Sequence, residues 1–288
     1  MMSETICLAP KRVFEPPAFV VPDDACDCHA HVIAVGDARY PLVADRSYAP
    51  QPASPRDYLD MLDRLGMRRG VLVQVSVHGT DNRYMLAVLR GHGERLRGVA
   101  VADPAVGDAE LSDMHAAGVR GLRINTLFGG GVGLDTLQRL AARIAPLGWH
   151  MQLLIDIRAL PALMPQLRAL PCPCVVDHFG HQPAGLGPDS PGFQALLELV
   201  SGHGWWVKLS GAYRISAMPG YDDVLPLARR LAAAAPDRLV WGSDWPHVAV
   251  APMPDTGHLL NLLARWVPDA DTRRRILVDN PAILYQFQ

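Results

Sequence analysis

The chain of 288 residues lacks long apolar runs, an excess of charge of either sign and any low-complexity linker. No apolar run approaches the roughly 20 residues that a membrane-spanning helix needs. The formal net charge of -2 provides no broad basic field, which argues against nucleic acid and membranes as partners. With 49% hydrophobic and 19% charged residues, the chain can instead bury one large α/β core or two small ones.

The first residues also lack the continuous apolar stretch of a secretory signal, since MMSETICLAPKRVFEPPAFV is interrupted by charges and prolines. We therefore expect residues 1–23 to be an unstructured lead-in, residues 24–288 to form the folded domain, and the protein to be cytoplasmic.

Cysteine is scarce and grouped. The five cysteines are Cys7, Cys26, Cys28, Cys172 and Cys174. Two C-x-C pairs suggest a four-thiolate zinc site, but structural zinc usually takes C-x₂₋₄-C from turns, and these pairs lie in or beside strand-like runs. Because side chains alternate along a strand, Cys26 and Cys28 are expected to face away from His29. We favour reduced thiols that serve in packing.

Eight short apolar runs alternate with longer amphipathic segments, as expected of strands followed by helices. The runs are 25–32, 70–77, 97–103, 119–125, 150–156, 174–180, 205–211 and 238–244. The first helix has readable ends, with Ser54 as N-cap, Pro55 in the first turn and Gly66 as the stop. Eight such units predict a single (β/α)8 TIM barrel. The alternative is a doubly wound open sheet, which would need a glycine-rich phosphate loop where HAHVIAVGD stands.

A barrel of this kind carries its catalytic residues at the carboxyl ends of its strands. The polar side chains at those ends are His29, His31, Ser76, His78, Arg123, Asn125, His178, Arg214 and Asp244. Three imidazoles and a carboxylate would be costly to bury without a purpose, so His29, His31, His178 and Asp244 are the predicted catalytic group. The other histidines considered, interpreted as core or surface residues, are His92, His115, His150, His203 and His258.

Several motifs resemble a known family. DCHAHV, VVDHFG, VWGSDWPH and DNPAILYQF resemble the amidohydrolase superfamily, which carries H-x-H on its first strand and an aspartate on its eighth. RSYAP, VQVSVHGTDN, GVRGLRIN and GAYRIS are similar to the branch that contains 2-pyrone-4,6-dicarboxylate lactonase. The resemblance runs from about residue 24 to the C-terminus and implies a hydrolase that opens a ring ester.

The same resemblance bears on the need for a metal. Binuclear members use a lysine on strand four and a histidine on strand five; here the fourth run has no lysine, and His150 lies at the wrong end of the fifth. His29, His31, His178 and Asp244 suffice in type for one divalent cation such as zinc. Pyrone-dicarboxylate lactonases are thought to work without metal, so we expect no cofactor and keep one zinc as the alternative.

The resemblance implies a mechanism and a small anionic lactone as substrate. Asp244 would deprotonate water, while the three histidines, some of them protonated, would stabilise the oxyanion. Arg123 and Arg214 would hold a substrate carboxylate. The neutral contacts are expected from Tyr48, Ser76, His78 and Asn125.

Two departures from that branch affect the choice of substrate. Gly129 stands where we expect a second basic residue, and Leu154 where we expect a tyrosine. Without this guanidinium, the site is expected to bind one fewer carboxylate of the substrate. The glycines at 129–131 predict a more mobile loop. A lactone isomerase on the same scaffold and a non-catalytic binding barrel remain the alternative functions.

Overall fold

The computed structural model describes residues 5–288 and confirms a single (β/α)8 barrel, in which each predicted apolar run contributes one strand. The strands are β1 (Thr5–Ile6), β2 (Cys26–Ala30), β3 (Tyr48–Ala49), β4 (Arg69–Val73), β5 (Leu96–Ala100), β6 (Val119–Asn125), β7 (His150–Leu154), β8 (Cys174–Val176), β9 (Trp206–Leu209) and β10 (Leu239–Trp241). The α-helices are α1 (Pro55–Leu65), α2 (Arg83–Gly91), α3 (Asp108–Ala116), α4 (Leu137–Ile144), α5 (Leu160–Leu167), α6 (Pro191–Gly202), α7 (Ala212–Ile215), α8 (Leu225–Ala234), α9 (Thr256–Trp266), α10 (Ala270–Arg274) and α11 (Asn280–Tyr285).

The barrel strands are parallel and pair in chain order from β2 to β10, with β1 and β3 forming a separate pair. Helix α1 has the ends that its sequence predicts: the Ser54 side chain accepts a hydrogen bond from the Asp57 N–H, and Gly66 ends the helix in the left-handed conformation. Its buried face, which includes Leu62 and Leu65, packs in the main hydrophobic core.

The barrel closes where the chain leaving β10 meets β2. The Asp244 N–H donates to the His29 carbonyl and the His31 N–H to the Trp245 carbonyl, both at 2.8 Å. Below these two bonds, the buried side-chain carboxylate of Asp27 serves as the hydrogen-bond acceptor in place of backbone carbonyls. It accepts from the Ser243 N–H at 2.7 Å and hydroxyl at 2.6 Å, and from the Tyr58 hydroxyl at 3.2 Å.

A β-bulge in β2 changes which side chains face inward. The pairing of β2 with β4 shifts register between Asp27 and Ala30. As a result Cys26 and Cys28 pack in the barrel interior with Tyr285, on the same side as His29. The expectation that these cysteines face away from His29 is therefore wrong, because strict alternation does not survive a bulge. All five cysteines are buried free thiols, as expected for packing residues.

The described part of the lead-in is ordered, which corrects the expectation that it is unstructured. Strand β1 pairs with β3, the Glu15 N–H donates to Asp255 at 3.1 Å, and the Ala18 N–H donates to Asn261 at 2.7 Å. Residues 1–4 of the predicted lead-in lie outside the described residues, and the domain boundary at residue 24 stays a prediction. From residue 5 onward, no helix is both long and apolar enough to cross a membrane.

We predict that Asp27→Ala lowers the free energy of unfolding by about 2–5 kcal/mol, because it leaves buried donors of Ser243 and Tyr58 without an acceptor. Urea unfolding followed by circular dichroism measures the change. Asp60→Ala, on the exposed face of α1, is the control and should change stability by less than about 0.5 kcal/mol. Equal losses in the two variants would mean that the carboxylate does not hold the closure.

Candidate active site

The four predicted catalytic side chains meet at the carboxyl end of the barrel. Asp244 Oδ1 lies 3.8 Å from His29 Nε2 and 3.7 Å from His31 Nε2, and Asp244 Oδ2 lies 3.8 Å from His178 Nε2. His178 and Asp244 lie two and three residues after the ends of β8 and β10 and adopt positive φ values of 51° and 63°. These turns direct both side chains across the strand ends toward His29 of β2 and His31 just after it.

A pocket opens over this group. It is lined by His31, Tyr48, Val75, Ser76, Arg123, Phe128, Leu154, His178, Arg214, Asp244 and Val248. The enclosed volume is about 20 Å³, which holds one water molecule but not a lactone ring. Side chains at the mouth must therefore move to admit a substrate.

The two oxygens of Asp244 have different surroundings. Oδ2 accepts hydrogen bonds from the Tyr213 hydroxyl and from Arg214 Nε, both at 2.6 Å. Oδ1 is buried and has no hydrogen-bond partner among residues 5–288. Burial opposes ionisation, but the charge of Arg214 outweighs it and holds the pKa of Asp244 well below its usual range. Asp244 is thus a carboxylate with one oxygen anchored and the other free to act.

The histidines are neutral, which corrects the expectation that some are protonated near neutral pH. Burial, with the charge of Lys208, lowers the pKa of His29 to about 4, and burial beside His29 lowers that of His31 to about 3. Burial also puts the pKa of His178 well below its ordinary value. These side chains act as neutral hydrogen-bonding groups, not as cations.

The sequence patterns did not predict the cluster of buried polar side chains that lies beneath His29. Lys208 Nζ on β9 lies 3.2 Å from His29 Nδ1, 2.7 Å from Gln152 Oε1 and 3.4 Å from Asp177 Oδ1. Arg123 Nε lies 3.4 Å from Asp177 Oδ2. A lysine inside the apolar run WWVKLSG was the available signal, since a charged residue on a buried strand needs partners. Tyr213 was also missed, although it precedes Arg214 in GAYRIS.

His78 lies outside the pocket lining. Its Nε2 accepts from the Ala34 N–H and its Nδ1 donates to the Pro41 carbonyl, each at 3.2 Å. Both ring nitrogens therefore hold the loop that follows β2. Asn125 likewise uses its Oδ1 to accept from the N–H groups of Leu127 and Phe128, which shapes the next loop.

The three glycines of that second loop allow close packing. A Cβ on Gly129 would lie 2.4 Å from the Asp45 carbonyl, and one on Gly130 would lie 2.4 Å from the Ser76 carbonyl. The Gly129 N–H also donates to Ser47 Oγ at 2.8 Å. Glycine at these positions allows the close approach of backbones, and the expectation of a more mobile loop stays a prediction.

The donor atoms of His29, His31 and Asp244 lie within 4.8 Å of one another and suit a divalent cation in type. His31 fits this role because its Nδ1 donates to the Val73 carbonyl at 2.8 Å, which leaves a lone pair on Nε2. His29 Nδ1 lies 3.2 Å from Lys208 Nζ, a donor, and 3.3 Å from Asp177 Oδ1, an acceptor. A metal-bound imidazole needs an acceptor at Nδ1, so His29 fits the role of ligand only with Asp177, and not Lys208, as the partner of that nitrogen.

Comparison with known proteins gives consistent relatives. The chain is 39% identical to 2-pyrone-4,6-dicarboxylate hydrolase of Comamonas testosteroni over 93% of this chain and 92% of that one. It is 38% identical to 4-sulfomuconolactone hydrolase of Rhizobium radiobacter, with 97% and 95% covered. D-galactarolactone isomerase of Agrobacterium fabrum is 34% identical, with 94% and 93% covered.

A solved apo structure from Agrobacterium tumefaciens superposes with a TM-score of 0.87 and 32% identity, covering 94% of this chain and 99% of that one. The amidohydrolase family model matches residues 26–287. The predicted resemblance is confirmed by both sequence and structure. The chain belongs to the amidohydrolase family, among relatives that act on lactones.

Proposed function

We propose that this protein hydrolyses the ring ester of a small carboxylated lactone, with Asp244 as general base and no metal ion. The observation that carries the proposal is the free Oδ1 of Asp244, which faces the Nε2 atoms of His29 and His31 in a pocket that also contains two guanidiniums. The relatives named above, which open or isomerise lactone rings, support the same reaction class.

The reaction needs an activated water, a stabilised oxyanion and a protonated leaving group. Asp244 Oδ1 takes a proton from water, whose oxygen forms a bond to the ester carbonyl carbon. The carbonyl oxygen becomes an oxyanion that the neutral imidazole of His178 stabilises by a hydrogen bond from its N–H group. The ring C–O bond then breaks, and Asp244 returns its proton to the leaving oxygen, which regenerates the carboxylate.

Two guanidiniums in the lining of the pocket favour an anionic substrate. Arg123 and Arg214 both line it, and Arg214 uses Nε for Asp244 and one terminal nitrogen for the Val248 carbonyl at 3.2 Å. Its other terminal nitrogen can bind a carboxylate while Nε keeps Asp244 in place. Arg214 can thus contact the substrate carboxylate and the general base Asp244 at the same time.

Two contacts support a mechanism without metal. Lys208 donates toward His29 Nδ1, which directs the imidazole proton to Nε2, and the Arg214 charge lies 2.6 Å from Asp244. A cation at this point would be repelled by both charges. We therefore assign Asp244 and the histidines to acid–base and hydrogen-bonding roles.

The substrate differs from the pyrone dicarboxylate in charge. Gly129 and Leu154 stand where the related lactonases are expected to carry a basic residue and a tyrosine, and Leu154 lines the pocket. The pocket therefore offers fewer polar groups to a second carboxylate. We expect the pyrone dicarboxylate to be a poor substrate.

Isomerisation is the second candidate, because a relative at 34% identity is a lactone isomerase. It would use the same base, with a hydroxyl of the substrate in place of water as the nucleophile. A panel of lactones followed by pH and NMR separates the functions: hydrolysis releases acid, isomerisation changes the spectrum without net acid, and a binding protein does neither.

The same panel tests the metal. We predict that activity persists after exhaustive chelation and does not rise when zinc or manganese is added. Metal analysis of the purified protein accompanies the assay. One equivalent of tightly held metal whose removal abolishes turnover would overturn the metal-free mechanism.

Asp244→Asn should lower kcat by at least ~10³ while the fold and substrate binding persist, because the variant cannot accept the proton from water. Steady-state kinetics and thermal unfolding measure the two effects. Asp189→Asn, at an exposed position, is the control. A variant that keeps most of its turnover would remove Asp244 from the mechanism.

Arg123→Met should raise KM for a carboxylated lactone by a factor on the order of 10², with a much smaller effect on a neutral analogue. Arg214→Met should reduce kcat as well, because it also removes the hydrogen bond to Asp244. Arg139→Met, on the exposed face of α4, should change neither parameter. Equal losses on charged and neutral lactones would show that Arg123 supports the fold and does not recognise charge.

A further inference from the structure

We propose that Lys208 is a positioning residue that fixes His29 and His31 in opposite tautomers, so that one donates and the other accepts a hydrogen bond at the reaction centre. The proposed role in catalysis rests on the function given above. The tautomers themselves can be measured without any substrate.

Lys208 is fully buried and meets three acceptors. An ammonium carries three N–H donors and no acceptor. The three acceptors around Nζ are Gln152 Oε1, His29 Nδ1 and Asp177 Oδ1, at 2.7, 3.2 and 3.4 Å. His29 Nδ1 lies 3.2 Å from this ammonium and 3.3 Å from Asp177 Oδ1, and we infer that the shorter contact, to an atom that only donates, leaves Nδ1 without a proton.

The neighbours of Lys208 fix this orientation. Gln152 Nε2 donates to Asp177 Oδ2 at 2.9 Å, which turns Gln152 Oε1 toward the ammonium. Gln152, Asp177 and Lys208 each have 0% exposed surface. No water competes for these hydrogen bonds in such an enclosed group.

The consequence differs for the two histidines of the H-x-H motif. A neutral imidazole that accepts at Nδ1 carries its proton on Nε2, so His29 presents an N–H toward Asp244. Its Nε2 is buried and has no hydrogen-bond partner in the part of the chain that the structure describes. His31 donates from Nδ1 to the Val73 carbonyl and therefore presents a lone pair at Nε2 toward the same carboxylate oxygen.

Opposite tautomers orient a water molecule in one way. Water between these groups would give one hydrogen to Asp244 Oδ1 and the other to His31 Nε2, and would accept a hydrogen bond from the His29 N–H. The second lone pair of its oxygen is left for the carbonyl carbon of the substrate. If both histidines were acceptors, they and Asp244 would compete for two hydrogens.

The residue type at position 208 suits this role. The chain has only two lysines, Lys11 and Lys208, and otherwise uses arginine as its basic residue. A compact ammonium places its three donors around one atom, whereas a guanidinium spreads its donors over a flat fork. Three acceptors that converge on one point therefore require lysine.

The first test uses the wild-type protein labelled with ¹⁵N-histidine. Long-range ¹H–¹⁵N spectra at neutral pH distinguish protonated from unprotonated ring nitrogens, and His29→Gln and His31→Gln assign the signals by their loss. We expect His29 to be protonated at Nε2 and His31 at Nδ1. The same tautomer at both positions, or a proton on His29 Nδ1, would overturn the proposal whether or not the protein hydrolyses lactones.

The second test is Lys208→Met. Without the ammonium, His29 Nδ1 should donate to Asp177 Oδ1, which lies 3.3 Å away, and the proton should leave Nε2. We expect kcat to fall by about 10² or more with KM nearly unchanged, as for an imidazole held in the wrong tautomer. Zinc binding, measured by calorimetry, should strengthen because both Nε2 atoms now offer lone pairs.

Lys11→Met, at an exposed position, is the matched control and should behave as wild type in all three measurements. A folded Lys208→Met protein with the wild-type tautomer at His29 would contradict the proposal. If that variant does not fold, the spectra of the wild-type protein decide the question alone.

Discussion

The closure of the barrel between β10 and β2 is the constraint on which the rest of this structure depends. Backbone hydrogen bonds from Asp244 to His29 and from His31 to Trp245 join the two ends of the sheet. The same bonds bring the carboxylate opposite the H-x-H pair. Asp27 completes the closure from below, by accepting from Ser243 on the other side of the join. The predicted catalytic group is thus assembled by the bonds that close the fold.

Two of the buried carboxylates near the site have a cation beside them. Asp244 lies against Arg214, and Asp177 against Lys208 and Arg123. Burial alone would protonate such carboxyls, but the paired cations keep the pKa values of Asp177 and Asp244 well below the ordinary range. The histidines between the pairs stay neutral, which suits them to share protons through hydrogen bonds.

Much of this architecture was predictable from sequence, because periodicity and capping are local properties. The eight apolar runs, the ends of α1 and the convergence of His29, His31, His178 and Asp244 all follow from strand and helix patterns. The bulge in β2 was not predictable, since it depends on pairing with β4. The partners of Arg214 and His78 and the neutral state of the histidines depend on long-range packing and burial, which a linear pattern does not encode.

The tight contact between Gly129 and the Asp45 carbonyl has a consequence for how substrate preference can evolve. Any side chain at position 129 would bring its first carbon to 2.4 Å from that oxygen, well inside contact distance. A guanidinium therefore cannot be introduced there by one substitution, because the loop around Asp45 and Ser47 would have to move first. The proposed preference for a less charged ring would in this way be built into the backbone, and a reversal would need coordinated changes in two loops.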